Sequence, residues 1–482
     1  MALIEKLNAI GDAIREKTGG TDKLTLDGMV EAIAGIQSGG SGGGSGGAGV
    51  AEKEVNFYDY DGTCLYAYTV AEAQALDELP AGPKHGGLVF QKWNWSLENV
   101  KALTRPMNIG ALYTTDDGTT RIYIHLEEGR TSPMLGVGVN GTVTVDWGDG
   151  TEPDVLTGTK LSTVQWTPTH EYSAPGDYVI SLMVDGAIGF TSVASTNQYA
   201  CILRHSSSAD TRNTVYQNSV RRIECGEGVT AFLERALWGC NSLKIITMPN
   251  NTMDINEYAF AYCCALLSIT IPDDASLNGG NIFNTCRSLA SAMLPENVTN
   301  IDSGTFKYCG SLKSITLPDS TTKIGSEAFE ECYSLAAVSL PENATTLNGD
   351  AFSMCETLAM IKFPNGIQEL KTYTCGNCKS LASIKIPDSV TKIGSNVFAN
   401  CYNLSAVTLP QAITSIGGNA FYNCCGVRYY DFSKHTAVPT LSSANAFSGV
   451  PADCEIRVPA ALYDEWIAAT NWATYASQIV AV

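Results

Sequence analysis

Three short stretches of the chain carry residue types that could do chemistry. Val55 to Thr63 reads VNFYDYDGT, where a strand-like run containing Val55, Phe57 and Tyr58 delivers the carboxylates of Asp59 and Asp61 to a turn. Cys375-Gly376-Asn377-Cys378 has the CxxC spacing of a redox or zinc site. Asp146 and Asp149, in the run VTVDWGDG, could bind Ca²⁺ or could simply hold their own turn with side-chain hydrogen bonds. The five histidines, His85, His125, His170, His205 and His435, show no metal spacing such as HExxH, and neither GxSxG nor a phosphate-cradling glycine loop occurs.

The first stretch resembles the nucleophile loop of haloacid-dehalogenase-type phosphatases through its DxDGT pattern. That resemblance implies an attacking Asp59, Asp61 as general acid, and Mg²⁺. Such chemistry also needs a phosphate-binding hydroxyl, a lysine and a further acidic pair converging on the nucleophile. Asp116-Asp117 is the only Asp-Asp pair before the WGDG run, and Gly118 marks it as a second turn. No alternation of strands and helices follows that would build a parallel sheet. Asp61-Gly62 is itself a strong hairpin signal, so the expectation is a turn, with an aspartyl phosphatase at Asp59 as the least favoured alternative.

The CxxC pair is explained by its register. Cys240, Cys263, Cys286, Cys309, Cys332, Cys355, Cys378, Cys401 and Cys424 recur every 23 residues. Leucines from Leu243 to Leu404 stand three residues after, and Phe260, Phe283, Phe306, Phe329, Phe352, Phe398 and Phe421 three residues before. Prolines from Pro249 to Pro410 close the units, giving AFxxCxSLxxIxLPxxxTxIGxx. A fixed period in the twenties predicts a solenoid, whose units bury their apolar faces only against neighbours. Leu-x-x-Ile-x-Leu reads as a short strand, ended by a proline that cannot donate to the ladder. Cysteine at this position acts as a small buried hydrophobe. Cys375 merely stands where the other units have Phe, and no metal, cofactor or catalytic residue is expected. The unit resembles the leucine-rich repeats of bacterial BspA-like surface proteins.

Elsewhere the chain changes character. Leu3, Leu7, Ile10 and Ile14 make one helical stripe before Gly19-Gly20, and a second short helix begins near Asp27. Gln37 to Gly49, QSGGSGGGSGGAG, is a flexible linker with a reach of about 20 Å. The WGDG turn with His170-Glu171-Tyr172 and Pro175-Gly176-Asp177-Tyr178 resembles polycystic-kidney-disease (PKD) type β-sandwiches. The expected chain is multidomain and mainly β. It has a helical anchor and oligomerisation module (1–36), the linker (37–49), a small α+β domain (50–110) and a PKD-like sandwich (111–190). A connection (191–216), the leucine-rich-repeat solenoid (217–459) and a helical C-terminal cap (460–482) with Trp466 and Trp472 complete it.

The formal charge is 30 − 49 = −19, which disfavours nucleic acid and anionic membrane surfaces as partners. No run approaches the 18 or so apolar residues of a membrane span. Residues 1–17 lack the apolar core and cleavage site of an export signal, so the chain is expected either to stay in the cytosol where it is made or to leave by a route without a signal, such as cell lysis.

LNAIGDAIREKTGG, VNFYDYDGTCLYAYT, TRIYIHLEEGR and VPAALYDEWIAATNWATYA together resemble tail-fibre proteins of phages and prophages of Gram-positive gut bacteria. That resemblance implies a virion protein assembled in the host cytoplasm and acting outside the cell. It implies a homotrimer attached to tail or baseplate proteins through residues 1–36, with the solenoid recognising a host-surface protein or glycan. A BspA-like bacterial adhesin is the alternative. Receptor-binding candidates are the aromatic and charged residues beside the ladder, Arg287, Tyr333 and Tyr402, and Arg428 and Tyr429 on the last strand.

Overall fold

The computed structural model describes residues 50–191, 202–204, 216, 218–252 and 254–482. The helical module over 1–36, the linker and most of the 191–216 connection, His205 included, lie outside the described residues. Ala51–Val482 forms one compact unit, and among its described residues no helix is long and apolar enough to cross a membrane.

The repeat is a solenoid, as the period predicts. Each coil contributes to two parallel ladders. One is the expected Leu-x-x-Ile-x-Leu strand, seen at Ser268–Thr270, Ser291–Met293, Ala337–Ser339, Met360–Lys362, Ile384–Lys385, Ala406–Thr408, Tyr429–Asp431 and Glu455–Val458. Registers advance by one coil, as in Ala337↔Met360 and Val407↔Tyr430. The second ladder lies at the Thr-x-Ile-Gly end of the unit, where Ile301 pairs Ile324 and Ile393 pairs Ile416.

The Ala-Phe segment between them is neither strand nor helix. Its backbone N–H groups alternate between two destinations. Phe260 and Tyr262 donate forward to Ile282 and Asn284 of the next coil (2.9 and 2.7 Å), while Ala261 and Cys263 donate back three residues (3.0 and 3.1 Å). Two left-handed residues per coil make the alternation possible, such as Asn396 and Asn400 (φ 58° and 60°) or Asn419 and Asn423 (φ 55° and 56°). Asparagine tolerates this region better than most side chains.

Inside the coils the aromatic rings stack along the axis. Phe283, Phe306, Phe329 and Phe352 follow each other at 5.3 to 5.5 Å with nearly parallel planes. The file breaks at Cys375 and resumes with Phe398, Phe421 and Phe447. The ladder cysteines have their own device. From Cys263 onward each thiol points back to the carbonyl of the residue at the Phe position one coil earlier: Cys332 Sγ lies 3.2 Å from Phe306 O, and Cys424 Sγ 3.1 Å from Phe398 O. That carbonyl already accepts the N–H of its own coil's cysteine, so the thiol fills a second lone pair in a dry interior. A weak donor of small volume satisfies an acceptor there without carrying much polar surface inside.

Both ends of this core are closed. At the N-terminal end, β1 (Val55–Tyr58), β2 (Cys64–Tyr68), β3 (Leu88–Trp93) and β4 (Met107–Thr115) form a sheet in the order β2-β1-β4-β3. Helices α1 (Val70–Gln74) and α2 (Leu97–Lys101) complete the α+β unit, which runs to Thr115 rather than 110. The next strands are β5 (Thr120–Leu126), β6 (Met134–Asp146), β7 (Asp154–Trp166) and β8 (Gly176–Phe190). They do not make the free-standing PKD-like sandwich expected over 111–190. They share one hydrogen-bonded sheet, and its strands continue directly into the solenoid. β5 pairs antiparallel with Val220–Glu224, and β8 pairs parallel with Val229–Phe232. Their apolar residues belong to the same core as the repeats. An unpaired strand edge invites association; here β5 and β8 occupy the edges that the first coil would leave open.

At the other end the expected single helical cap over 460–482 is broken. A 3₁₀ turn, Ala460–Leu462, leads into α3 (Tyr463–Ala468), then a second 3₁₀ turn, Trp472–Tyr475, and the strand Ile479–Ala481. Trp466 and Trp472 are both fully buried and 4.6 Å apart. On one continuous helix, residues six apart face about 120° away from each other. The helix ends where Ala469 turns extended, and Asn471, at φ 66°, then redirects the chain and returns Trp472 to the core, where its Nε1 donates to Pro439 O at 2.8 Å.

Two results follow for the core. Phe329→Ala removes a ring from an unbroken stack and should lower stability by about 3–5 kcal/mol, whereas Cys375→Ala, in the gap of that stack, should cost far less; chemical denaturation of both variants checks the ranking. A thiol-alkylating reagent should modify the exposed Cys425 and the half-buried Cys264 of the native chain well before any ladder cysteine, as read by mass spectrometry of the digested protein.

Candidate functional site

At each place flagged in the sequence the side chains make local structural contacts. Asp59 directly follows β1 and is buried. Its Oδ1 accepts from Tyr113 Oη (2.6 Å) and Tyr60 N (2.8 Å), and its Oδ2 meets His85 Nε2 at 2.8 Å. Tyr60, His85 and Tyr113 pack edge to face around it. Burial first, then the charge and hydrogen bond of Asp59, push the Tyr113 phenol far above its ordinary range. The carboxylate is thus enclosed by donors and rings. Asp61 lies in the turn, exposed, accepting the Thr63 N–H at 2.9 Å. The two carboxylates do not converge.

In the WGDG turn, Asp146 Oδ1 accepts from Gly148 N (2.9 Å), and Asp149 accepts from Thr151 N and Oγ1 while meeting His170 Nε2 at 2.8 Å. His170 stacks on Trp147 with ring centroids 4.5 Å apart. These hydrogen bonds to Thr151 and His170 outweigh burial and hold the Asp149 carboxyl below its ordinary range. The turn is held by aspartate side chains. Cys375 and Cys378 are free thiols in the interior. The hydrogen bond it shares with Cys378, followed by burial, drives the Cys375 thiol well above its usual range, opposite to what redox or metal-binding cysteines require. Among the described residues, no group of three or more His, Cys, Asp or Glu side chains is placed to hold a metal ion.

What remains is surface, and the solenoid uses its surface unevenly. On the strand face the first coils are covered by the α+β unit. Lys92 Nζ reaches Asp273 at 2.6 Å, Asn94 Nδ2 reaches Ile271 O at 3.1 Å, and Trp95 Nε1 donates to Leu294 O at 3.0 Å. Arg105 Nε pairs with Asp319 at 2.7 Å. Gly110 allows the closest approach: a Cβ there would fall 2.2 Å from Thr270 Oγ1. Ser268, an outward strand residue by register, is therefore buried and donates to Tyr60 O at 2.7 Å. In later coils the same row is open, with Met360 62% exposed.

The candidate residues fall in two places. Arg287, Tyr333 and Tyr402 occupy one row, each directly after a ladder cysteine, and all are exposed. They are not neighbours: Gly310 stands between the first two, and the Glu356–Lys379 ion pair (2.7 Å) between the last two. Arg428 is exposed beside the strand that Tyr429 begins, and the Tyr429 ring lies 4.0 Å beneath the Arg457 guanidinium. Arg457 in turn is tied to Glu455 at 2.8 Å.

A feature that the sequence reading missed lies around the corner, on the Ala-Phe face. Here the residues two before successive cysteines are Ser353, Gly376 and Ala399, all buried, flanked by Glu330 and the exposed Tyr422. The small side chains leave a trough of about 420 Å³ between the two rows of left-handed residues. Asn377, Asn400 and Asn423 form a ladder along one wall, with Asn400 and Asn423 each donating an amide N–H to the Asn one coil earlier, at 2.8 and 3.1 Å. Tyr373 stands on the other wall, across Gly376, where a Cβ would come within 2.8 Å of its ring. The available signal is the 23-residue spacing of Asn377, Asn400 and Asn423, three polar residues that only the stacking of coils brings side by side.

The comparisons with known proteins agree on the repeats. Residues 211–336 and 322–450 match the BspA type leucine rich repeat region, in six copies. No curated protein matches the chain. Among solved structures, a leucine-rich repeat protein from Bacteroides ovatus is 25% identical, over 43% of this chain and 58% of that one, with a TM-score of 0.37. The T. pallidum leucine rich repeat protein is 30% identical, over 32% of this chain and 71% of that one, with a TM-score of 0.30. A leucine rich cell surface protein from Faecalibacterium prausnitzii is 23% identical, over 47% and 76%, with a TM-score of 0.29. The chain thus spans little more than half of the B. ovatus protein's length. With the period of 23, the parallel ladders and this match, residues 211–450 are a BspA-type leucine-rich repeat region, and the chain is a leucine-rich repeat protein.

Proposed function

We propose that this chain is a non-enzymatic recognition protein, a receptor-binding tail fibre of a phage or prophage, in which residues 1–36 attach to the virion and the solenoid meets the host surface. The observation that carries the recognition reading is the contrast between covered and open coils. The α+β unit sits on the strand face of the early coils, and the later coils present bare rows of side chains. Arg287, Tyr333, Tyr402, Arg428 and Tyr429 belong to these accessible rows or their margins. The enclosed carboxylate of Asp59 supports a role without phosphoryl transfer.

The tail-fibre form of this reading rests on the resemblance of the N- and C-terminal stretches, with the implied homotrimer and cytoplasmic assembly. The family match over residues 211–450 favours a second form, a BspA-like adhesin on a bacterial surface. Both use the solenoid to bind; they differ in what residues 1–36 hold.

The test uses the full chain and a version beginning at Ala51, since residues 51–482 form one compact unit. Light scattering should give a trimer for the full chain and a monomer for the shorter one. Cell-binding assays on Gram-positive gut bacteria, with wall glycans intact or stripped, should show binding by both, weaker for the monomer through lost avidity. An unchanged oligomer after deletion would refute the role of residues 1–36; absence of binding to every cell tested would refute recognition.

A further inference from the structure

We infer that the trough on the Ala-Phe face between Glu330 and Tyr422 is the recognition site, and that it takes an uncharged, extended oligosaccharide. The inference rests on the recognition reading above and names the face and the ligand class.

Shape comes first. The floor is lowered by three small residues in consecutive coils, Ser353, Gly376 and Ala399, where other coils of the same row carry Lys307, Glu330 and Tyr422. The result is a groove running along the solenoid axis, closed at both ends by long side chains. Its repeat is that of the coils, which the Phe329–Phe352 and Phe398–Phe421 stacks set at 5.3 and 5.4 Å. That advance is close to one pyranose ring along an extended chain, so successive sugars would meet successive coils in like surroundings.

Chemistry comes second. Tyr373 and Tyr422 are both more than a third exposed, two coils apart along the groove. Exposed aromatic rings are the natural platform for the C–H face of a sugar, and a tyrosine adds a hydroxyl at the wet edge. Between them the Asn377–Asn400–Asn423 ladder fixes the orientation of its amides. The middle amide, Asn400, uses one N–H and one lone pair in the ladder and keeps another of each for a ligand. Paired donors and acceptors at a regular interval suit the hydroxyls or acetamido groups of a sugar chain. A flat apolar partner would leave those amides unpaired, at a cost.

Charge comes third. Glu330 and Asp350 stand at one end of the groove. Lys307 is already engaged by Glu327 and Glu330, at 2.5 and 2.6 Å. The groove therefore opposes sulfated, phosphorylated or uronate-bearing chains, in keeping with the net charge of −19.

The test is calorimetric titration of the full chain with chitohexaose and with cellohexaose, two uncharged extended hexasaccharides, and with a hyaluronan hexasaccharide as the anionic control. Binding of at least one uncharged hexamer is expected, with none of the anionic one. Tyr422→Ala and Ala399→Lys should each weaken binding by about tenfold or more, roughly the loss of one good contact. Ala399→Lys fills the trough with a side chain that the same row already accommodates at Lys307, so its melting temperature should stay near that of the parent. Failure of both uncharged hexamers to bind, equal binding of hyaluronan, or full affinity in both variants would each overturn the inference. The parallel cell-binding assay separates the two readings. Undiminished cell binding by both variants overturns the trough and leaves recognition through another face. Hexasaccharide binding without binding to any cell overturns cell recognition and leaves the trough.

Discussion

Every coil of this protein depends on the next one for both its apolar contacts and its hydrogen bonds. The Phe rings, the cysteine thiols and the forward-donating N–H groups all find their partners one coil away. A unit of 23 residues buries too little by itself to fold. Stability is therefore a property of the stack, and the stack is only as sound as its two ends. This explains why so much of the chain outside the repeats is spent on closing them. β5 and β8 extend the ladders backward, and Trp466, Trp472 and Tyr475 seal the last coil.

The same constraint limits where variation is allowed. Positions that face inward keep their types, and departures are absorbed locally. Cys375 interrupts the Phe file yet keeps its carbonyl available to the Cys401 thiol, at 3.3 Å. Ala292 stands at a strand position usually held by Ile or Val, and its neighbour Met293 packs against Tyr58 and Cys64 of the α+β unit. Outward positions are released from these demands. On the strand face some were used to dock the N-terminal unit. On the Ala-Phe face, three small residues in succession shape a groove.

Much of this was legible in the residues. The period of cysteine, leucine and phenylalanine contains the solenoid, its strand and its proline stop. The Asp61-Gly62 and WGDG turns are where their glycines put them, held by Asp61 and Asp149. Other features were not legible, for identifiable reasons. The WGDG strands have the alternation of a sandwich, and alternation shows that a strand has an inner face without showing whose core it enters; here it is the solenoid's. The tryptophans of the C-terminal segment suggest a helix, but the αL turn at Asn471 is a single residue's choice. The trough arises from residues 23 apart in three units, each unremarkable by itself. Arg287, Tyr333 and Tyr402 were singled out by size and charge, and they share a row without sharing a site.

The central claim is that residues 51–191 are a structural end of the repeat stack and not a domain appended to it. Calorimetric unfolding of residues 217–482 alone, beside residues 51–482, tests it most directly. If the strands β5 and β8 complete the first coil, the longer chain should melt in one cooperative transition. The shorter one should melt at markedly lower temperature, bind a hydrophobic dye and associate. Equal melting temperatures, with a separate transition for residues 51–191 in the longer chain, would contradict the account.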